Sequence, residues 1–191
     1  MKKIILASKS KARREILKQL GLKFTTDYAD IKESRKLVKG CKDLVIKNAK
    51  NKALKIAEKH KTGIIISADT VCLINKTIIG KPANLKCAKS TLKKLSMKPQ
   101  WIYTGICVLD AGNKTMFTDY EKTRVLLRKM TDKEIDNYFK KVSPFDKAGS
   151  FDIQGLGACF VKKIEGCFYN VVGLPVYKLV LLLAKAGVNI P

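Results

Sequence analysis

The chain has 191 residues, a formal net charge of +23 and a hydrophobic share of 46%. That length carries one domain or two closely joined lobes with a substantial core, and nothing in the composition suggests disorder or low complexity. The longest apolar run near the end, Val176 to Ala186, contains Lys178 and falls short of the ~20 residues that a membrane span needs.

The charge invites a polyanionic partner. However, the excess is almost all lysine, spread along the chain, and arginine occurs only at Arg13, Arg14, Arg35, Arg124 and Arg128. Proteins that read nucleic-acid sequence concentrate arginine, so nucleic acid is disfavoured as a partner. A non-enzymatic basic binder of RNA or DNA stays as the alternative from another class. There are six cysteines, no Cys-x-x-Cys pair and a single histidine, His60. That pattern argues against zinc and against a disulfide framework. Cys72, Cys107 and Cys159 sit in apolar strand-like runs and are expected to be buried, reduced thiols. The opening Met-Lys-Lys-Ile-Ile-Leu-Ala mimics a signal peptide, but Lys9 and Lys11 cut its apolar run short. A soluble, cytoplasmic protein is expected.

In chain order, Ile4 to Leu6 predicts a buried strand, and the small polar residues Ala7 to Ser10 a tight turn. From Lys11 the apolar positions Ile16, Leu17 and Leu20 lie on one helical face. Ser10 is a natural N-cap and Gly21 a natural stop. Arg13 and Arg14 in the first turn oppose the helix dipole unless an anion sits there. Two readings follow: Ser8, Ser10 and Arg13 form a phosphate cradle, or the serines only cap and the arginines are only a solvated face. The glycines of a Rossmann or Walker loop are missing.

Phe24 to Ile31 predicts an irregular strand, followed by Glu33 among basic residues. Leu44 to Lys59 predicts a helix with an apolar stripe and Lys52 within it. Ile64 to Ile74 is a near-continuous β-branched run, which predicts a strand buried on both faces. Asp69 and Thr70 interrupt it. A buried aspartate is costly unless paired or metal-bound, so Asp69 marks either an active site or a structural carboxylate. Asn75-Lys76 predicts a hairpin turn, and Gly80 and Pro82 fix the backbone around Lys81.

A helix over Leu85–Leu95 and strands over Trp101–Leu109 and Thr115–Leu127 follow, the last as one or two pieces. Thr131 to Glu134 is a capping box. Ser143 to Gly157 is a glycine-punctuated loop of a length that usually serves function. A strand over Ala158–Ile164, a short segment at Tyr169–Val172 and a C-terminal helix after Pro175, ended by Gly187, complete the chain. The alternation predicts an α/β fold with a mixed, largely central sheet flanked by helices.

Taken together, several segments resemble the Maf family of nucleotide pyrophosphatases. They are Leu6–Leu17, Ala68–Val71, Gly80–Pro82, Tyr103–Gly105, Asp146–Gly155 and Val171–Pro175, in the family's order and spacing over the whole chain. The resemblance implies a single domain over 1–191, its sheet split into two lobes with a cleft between, and a possible homodimer. It implies hydrolysis of a nucleoside triphosphate to the monophosphate and pyrophosphate with a divalent cation such as Mg²⁺ or Mn²⁺. By that pattern Asp69 is the proton acceptor, and Ser8, Ser10, Arg13, Glu33, Lys52 and Lys81 match the remaining cleft positions; the carboxylates of Asp69 and Glu33 can hold the metal, and Arg13, Lys52 and Lys81 can neutralise the phosphates. The base-proximal positions are Ala12, Thr70 and Gln154. Thr70 and Gln154 match members preferring dTTP and UTP, whereas Ala12 stands where those members carry Arg. A 7-methyl-GTP or other modified-nucleotide pyrophosphatase is the alternative within the family.

Overall fold

The computed structural model describes residues 2–28, 30–31, 33–35, 40–145 and 149–190. Its elements begin with β1 (Ile4–Ala7), α1 (Lys11–Gln19), β2 (Phe24–Asp27), α2 (Cys41–Ala57), β3 (Ile64–Ile74), β4 (Thr77–Ile79) and α3 (Leu85–Leu95). They continue with β5 (Pro99–Asp110), β6 (Thr115–Leu127), α4 (Asp132–Lys141), a 3-10 turn (Leu156–Phe160), β7 (Val161–Glu165), α5 (Phe168–Val172) and α6 (Val176–Lys185). The strand order is β2-β1-β3-β5-β6-β7, with β4 on β3. This is the mixed central sheet that the sequence predicts. The chain divides into two units: Met1–Thr70, Tyr103–Glu121 and Tyr169–Pro191 form the first, Val71–Ile102 and Lys122–Phe168 the second.

In the first unit β1 pairs parallel with β2 and with β3, Ile4 lying opposite both Phe24 and Ile64. Parallel neighbours need crossover connections, and α1 and α2 supply them. Successive strand residues point to opposite faces. Ile4, Leu6, Ile64, Ile66, Ala68, Ile106 and Val108 pack with Ile16 and Leu17 of α1 and with Leu179, Leu182 and Leu183 of α6. Ile5, Ala7, Ile65, Cys107 and Leu109 pack instead with Ala49, Ala53 and Ile56 of α2. The β-branched run is therefore buried on both faces, each large aliphatic side chain contributing about 1.5–3 kcal/mol. Helix α1 starts on Ser10, whose hydroxyl accepts from the Arg13 N–H. It ends with Gly21 at φ +68°, where the Gly21 and Leu22 N–H groups close onto the carbonyls of Lys18 and Leu17, a glycine stop of the Schellman type.

In the second unit β3 turns into β4 through Asn75 and Lys76, both left-handed at φ 47° and 62°. That is the geometry of a two-residue hairpin with the strands' own twist. The capping box on α4 forms as Thr131 and Glu134 predict.

Some expectations are corrected. The strand predicted over Ala158–Ile164 begins only at Val161, because the chain first coils through a 3-10 turn. At Gly157 a Cβ would lie 2.5 Å from the Asp152 carbonyl oxygen, so this coil closes tightly on Asp152. Cys159 consequently lies exposed, its thiol donating to the Leu156 carbonyl, whereas Cys72 and Cys107 are buried as expected. All six cysteines are free. Tyr169–Val172 belongs to a short helix, Thr115–Leu127 is one strand, and α2 starts at Cys41 rather than Leu44. The strand expected over Phe24–Ile31 ends at Asp27; Ala29, and Asp146–Ala148 of the glycine-punctuated loop, lie outside the described residues. Among the described residues no helix is long and apolar enough to cross a membrane.

Candidate active site

The chemistry-bearing residues of the first unit gather around the middle of β3. Strand alternation sends Ser67 and Asp69 toward α2 and Thr70 toward α1. Ser67 donates to the Ala49 carbonyl of α2 at 2.7 Å. Asp69, 4% exposed, accepts from two side chains of the same helix: Lys52 Nζ on Oδ1 at 2.7 Å and Asn48 Nδ2 on Oδ2 at 2.8 Å. Asn48 and Lys52 are four residues apart and so share one face of α2. The helix comes close enough because β5 carries Gly105 where α2 crosses it. A Cβ there would lie 2.4 Å from the Val45 carbonyl carbon and 2.6 Å from the Ile46 nitrogen.

Lys52 has three N–H donors, and three oxygens surround it: Asp69 Oδ1 and Glu33 Oε1 at 2.7 Å, and the Ala68 carbonyl at 3.2 Å. Two carboxylates thus converge on one cation. Burial, the largest single influence on Glu33, pushes its carboxyl up. The hydrogen bond and charge of Lys52, with the charges of Arg35 and Arg13, outweigh that and hold it below its ordinary value of 4.5.

On the opposite face Arg13 turns inward. Its guanidinium donates to the Gly173 carbonyl at 2.8 Å, the Ala68 carbonyl at 2.9 Å, Thr70 Oγ1 at 3.0 Å and Ser8 Oγ at 3.3 Å. Four of its five N–H donors are engaged. Burial lowers the arginine's pKa, and the charges of Asp69 and Glu33 act against that. The carboxylates of the site therefore help offset a cation placed in the first turn of a helix. Thr104 donates to the Asn170 carbonyl at 3.0 Å and lies 2.9 Å from Thr70 Oγ1. With one proton per hydroxyl, Thr70 must accept from Arg13 and donate to Thr104.

Ser8, Ser10, Arg13, Glu33, Lys52, Asp69 and Thr70 all belong to this first unit. Ser10 caps the helix, and Ser8 Oγ accepts from the Ser10 N–H and from Arg13. Ala12 is half-buried on α1. Lys81, exposed after β4, and Gln154, exposed with its N–H on Asp152 Oδ1, belong to the second unit. Sequence reasoning missed Asn48 and gave no role to Thr104 within the Tyr103–Gly105 segment. The available signal for Asn48 was a polar residue in line with Leu44 and Lys52 on the inward stripe of α2. For Thr104 it was a hydroxyl inside an apolar strand.

The Maf-like protein family model matches residues 3–186. The chain belongs to the Maf-like family. Among its Maf-like relatives, the dTTP/UTP pyrophosphatase of Caldicellulosiruptor saccharolyticus is 43% identical over 194 residues, covering 100% of this chain and 98% of that protein. The dTTP/UTP pyrophosphatase of Clostridium tetani is 42% identical over 189 residues, covering 97% and 98%. Among solved structures, a HAM1 protein from Coxiella burnetii superposes with a TM-score of 0.57 at 15% identity, covering 97% of this chain and 100% of that one. That likeness is one of fold, and it matches the fold implied by the sequence segments.

Proposed function

We propose that the chain hydrolyses a nucleoside triphosphate, dTTP or UTP, to the monophosphate and pyrophosphate. The observation that carries the reading is Asp69: a buried carboxylate, fixed by Lys52 and Asn48, in a chain about 40% identical over its full length to relatives named for that reaction. In this reading Asp69 takes the proton of the attacking water. The water oxygen bonds to phosphorus, the α–β anhydride bond breaks, and its electron pair leaves with pyrophosphate. Negative charge builds on the leaving group, so cations beside it stabilise the transition state. Lys52 supplies one within the first unit, and Lys81 is the proposed second. Arg13, committed to β3 and the Gly173 carbonyl, keeps Thr70 and the start of α1 in place.

A divalent cation fits the donor set. Glu33 and Asp69 already share one cation, Lys52. Among the described residues no group of three or more His, Cys, Asp or Glu side chains converges. Two carboxylates completed by substrate phosphates are what Mg²⁺ prefers. When bound, such an ion neutralises phosphate charge and acidifies water. The six free cysteines support a reducing, cytoplasmic setting.

The test is pyrophosphate release by the purified chain with Mg²⁺ or Mn²⁺ from a panel including dTTP, UTP, CTP, GTP and 7-methyl-GTP. Preference for dTTP and UTP is expected. Preference for 7-methyl-GTP would move the assignment within the family, and turnover of none would remove it.

A further inference from the structure

We infer that Asn48 is a positioning residue for Asp69, and that it ties Asp69 to the Glu33–Ser34 segment. This rests on the hydrolase reading above and adds a residue that neither the family pattern nor the sequence motifs single out. Asn48 is 2% exposed, on the inward face of α2. Its Nδ2 donates to Asp69 Oδ2 at 2.8 Å and to the Ser34 carbonyl at 3.0 Å, and its Oδ1 accepts from the Ser34 N–H at 3.1 Å. Both amide protons and one carbonyl lone pair are used. The Ser34 backbone is thus clamped in both directions, and Glu33, its neighbour, is the second carboxylate on Lys52. One amide therefore sets two things: the rotation of the Asp69 carboxylate and the place of the segment that delivers Glu33.

The chemistry demands an amide there. Asp69 Oδ1 is taken by Lys52, so Oδ2 needs a donor of its own inside the protein. A carboxamide supplies that donor without adding charge. A second carboxylate at this distance would share a proton with Asp69 instead.

The experiment compares the wild type with Asn48→Asp and Asn48→Leu, following kcat and KM for dTTP from pH 5 to 9 and the melting temperature of each. Asn48→Asp is nearly isosteric but puts an acceptor where Asp69 Oδ2 needs a donor, and its kcat is expected to fall about tenfold or more with little change in KM. Asn48→Leu removes the donor, and its kcat is expected to fall about tenfold or more with little change in KM, because the lost bond orients the base and not the nucleotide. A merely structural asparagine would lower the melting temperature and leave the kcat of the folded variants alone. An active wild type whose folded variants keep kcat would overturn the positioning role by itself. A wild type inactive on every nucleotide would overturn the hydrolase reading, and this role with it.

Discussion

Gly105→Ala offers a sharp test of how α2 delivers the site. A methyl group at this position would lie 2.4 Å from the Val45 carbonyl carbon, 2.5 Å from its oxygen and 2.6 Å from the Ile46 nitrogen. All three are helix backbone, so no side chain can swing away. Ordinary contact begins at 3.4 Å, so α2 must retreat by about 1 Å (3.4 − 2.4) from β5. Overpacking of this kind costs about 1–3 kcal/mol. The same retreat would stretch the 2.7 Å bond from Lys52 and the 2.8 Å bond from Asn48 beyond hydrogen-bonding length. Misplacement of a catalytic group by ~1 Å can lower rate about 10²-fold. Thermal melting and pyrophosphate release from dTTP would be measured together. A variant that melts with the wild type and keeps its activity would refute the argument that close helix–strand approach sets the Asp69 geometry.

Arg13→Lys is expected to destabilise the fold by at least about 2 kcal/mol in chemical denaturation, because an ammonium cannot serve the Gly173, Ala68, Thr70 and Ser8 oxygens together. Unchanged stability would show that the guanidinium is not the strut described. Acid stability has a named contributor on α4: the Arg128 guanidinium, with the Thr131 backbone and hydroxyl, holds the Glu134 carboxyl down at about 2 from its ordinary 4.5. The folded value is depressed, so the stabilisation is present above about 4.5 and is lost as pH falls toward 2. Glu134→Gln should therefore flatten the melting-temperature profile across that window; an identical acid-side slope would count against it.

Much of the fold was legible because the patterns were local. Ser10, Gly21, Asn75-Lys76 and Thr131–Glu134 each announce a cap, a stop or a turn through their own backbone chemistry, and all four form. The β-branched run over Ile64–Ile74 announced a strand buried on both faces, and Asp69 within it announced an exception that needed partners. Those partners were less legible. Lys52 and Asn48 meet Asp69 only because α2 crosses β5 at Gly105, a long-range contact that no short window contains. Arg13 was read as facing an anion or solvent. Its guanidinium instead spans to the Gly173 carbonyl, 160 residues away in sequence. The 3-10 turn at Leu156–Phe160 was missed for a related reason. An apolar run from Ala158 looks like a strand until the tight approach of Gly157 to Asp152 is known.

Asp69→Asn tests the central claim most directly. The substitution keeps the size of the side chain and removes the carboxylate that would accept a proton. Pyrophosphate release from dTTP, followed at saturating metal on protein shown to be folded by its melting transition, should fall by about 10²-fold or more. A folded Asp69→Asn variant that releases pyrophosphate within about twofold of the wild type, well inside the smallest effect a general base has, would contradict the account.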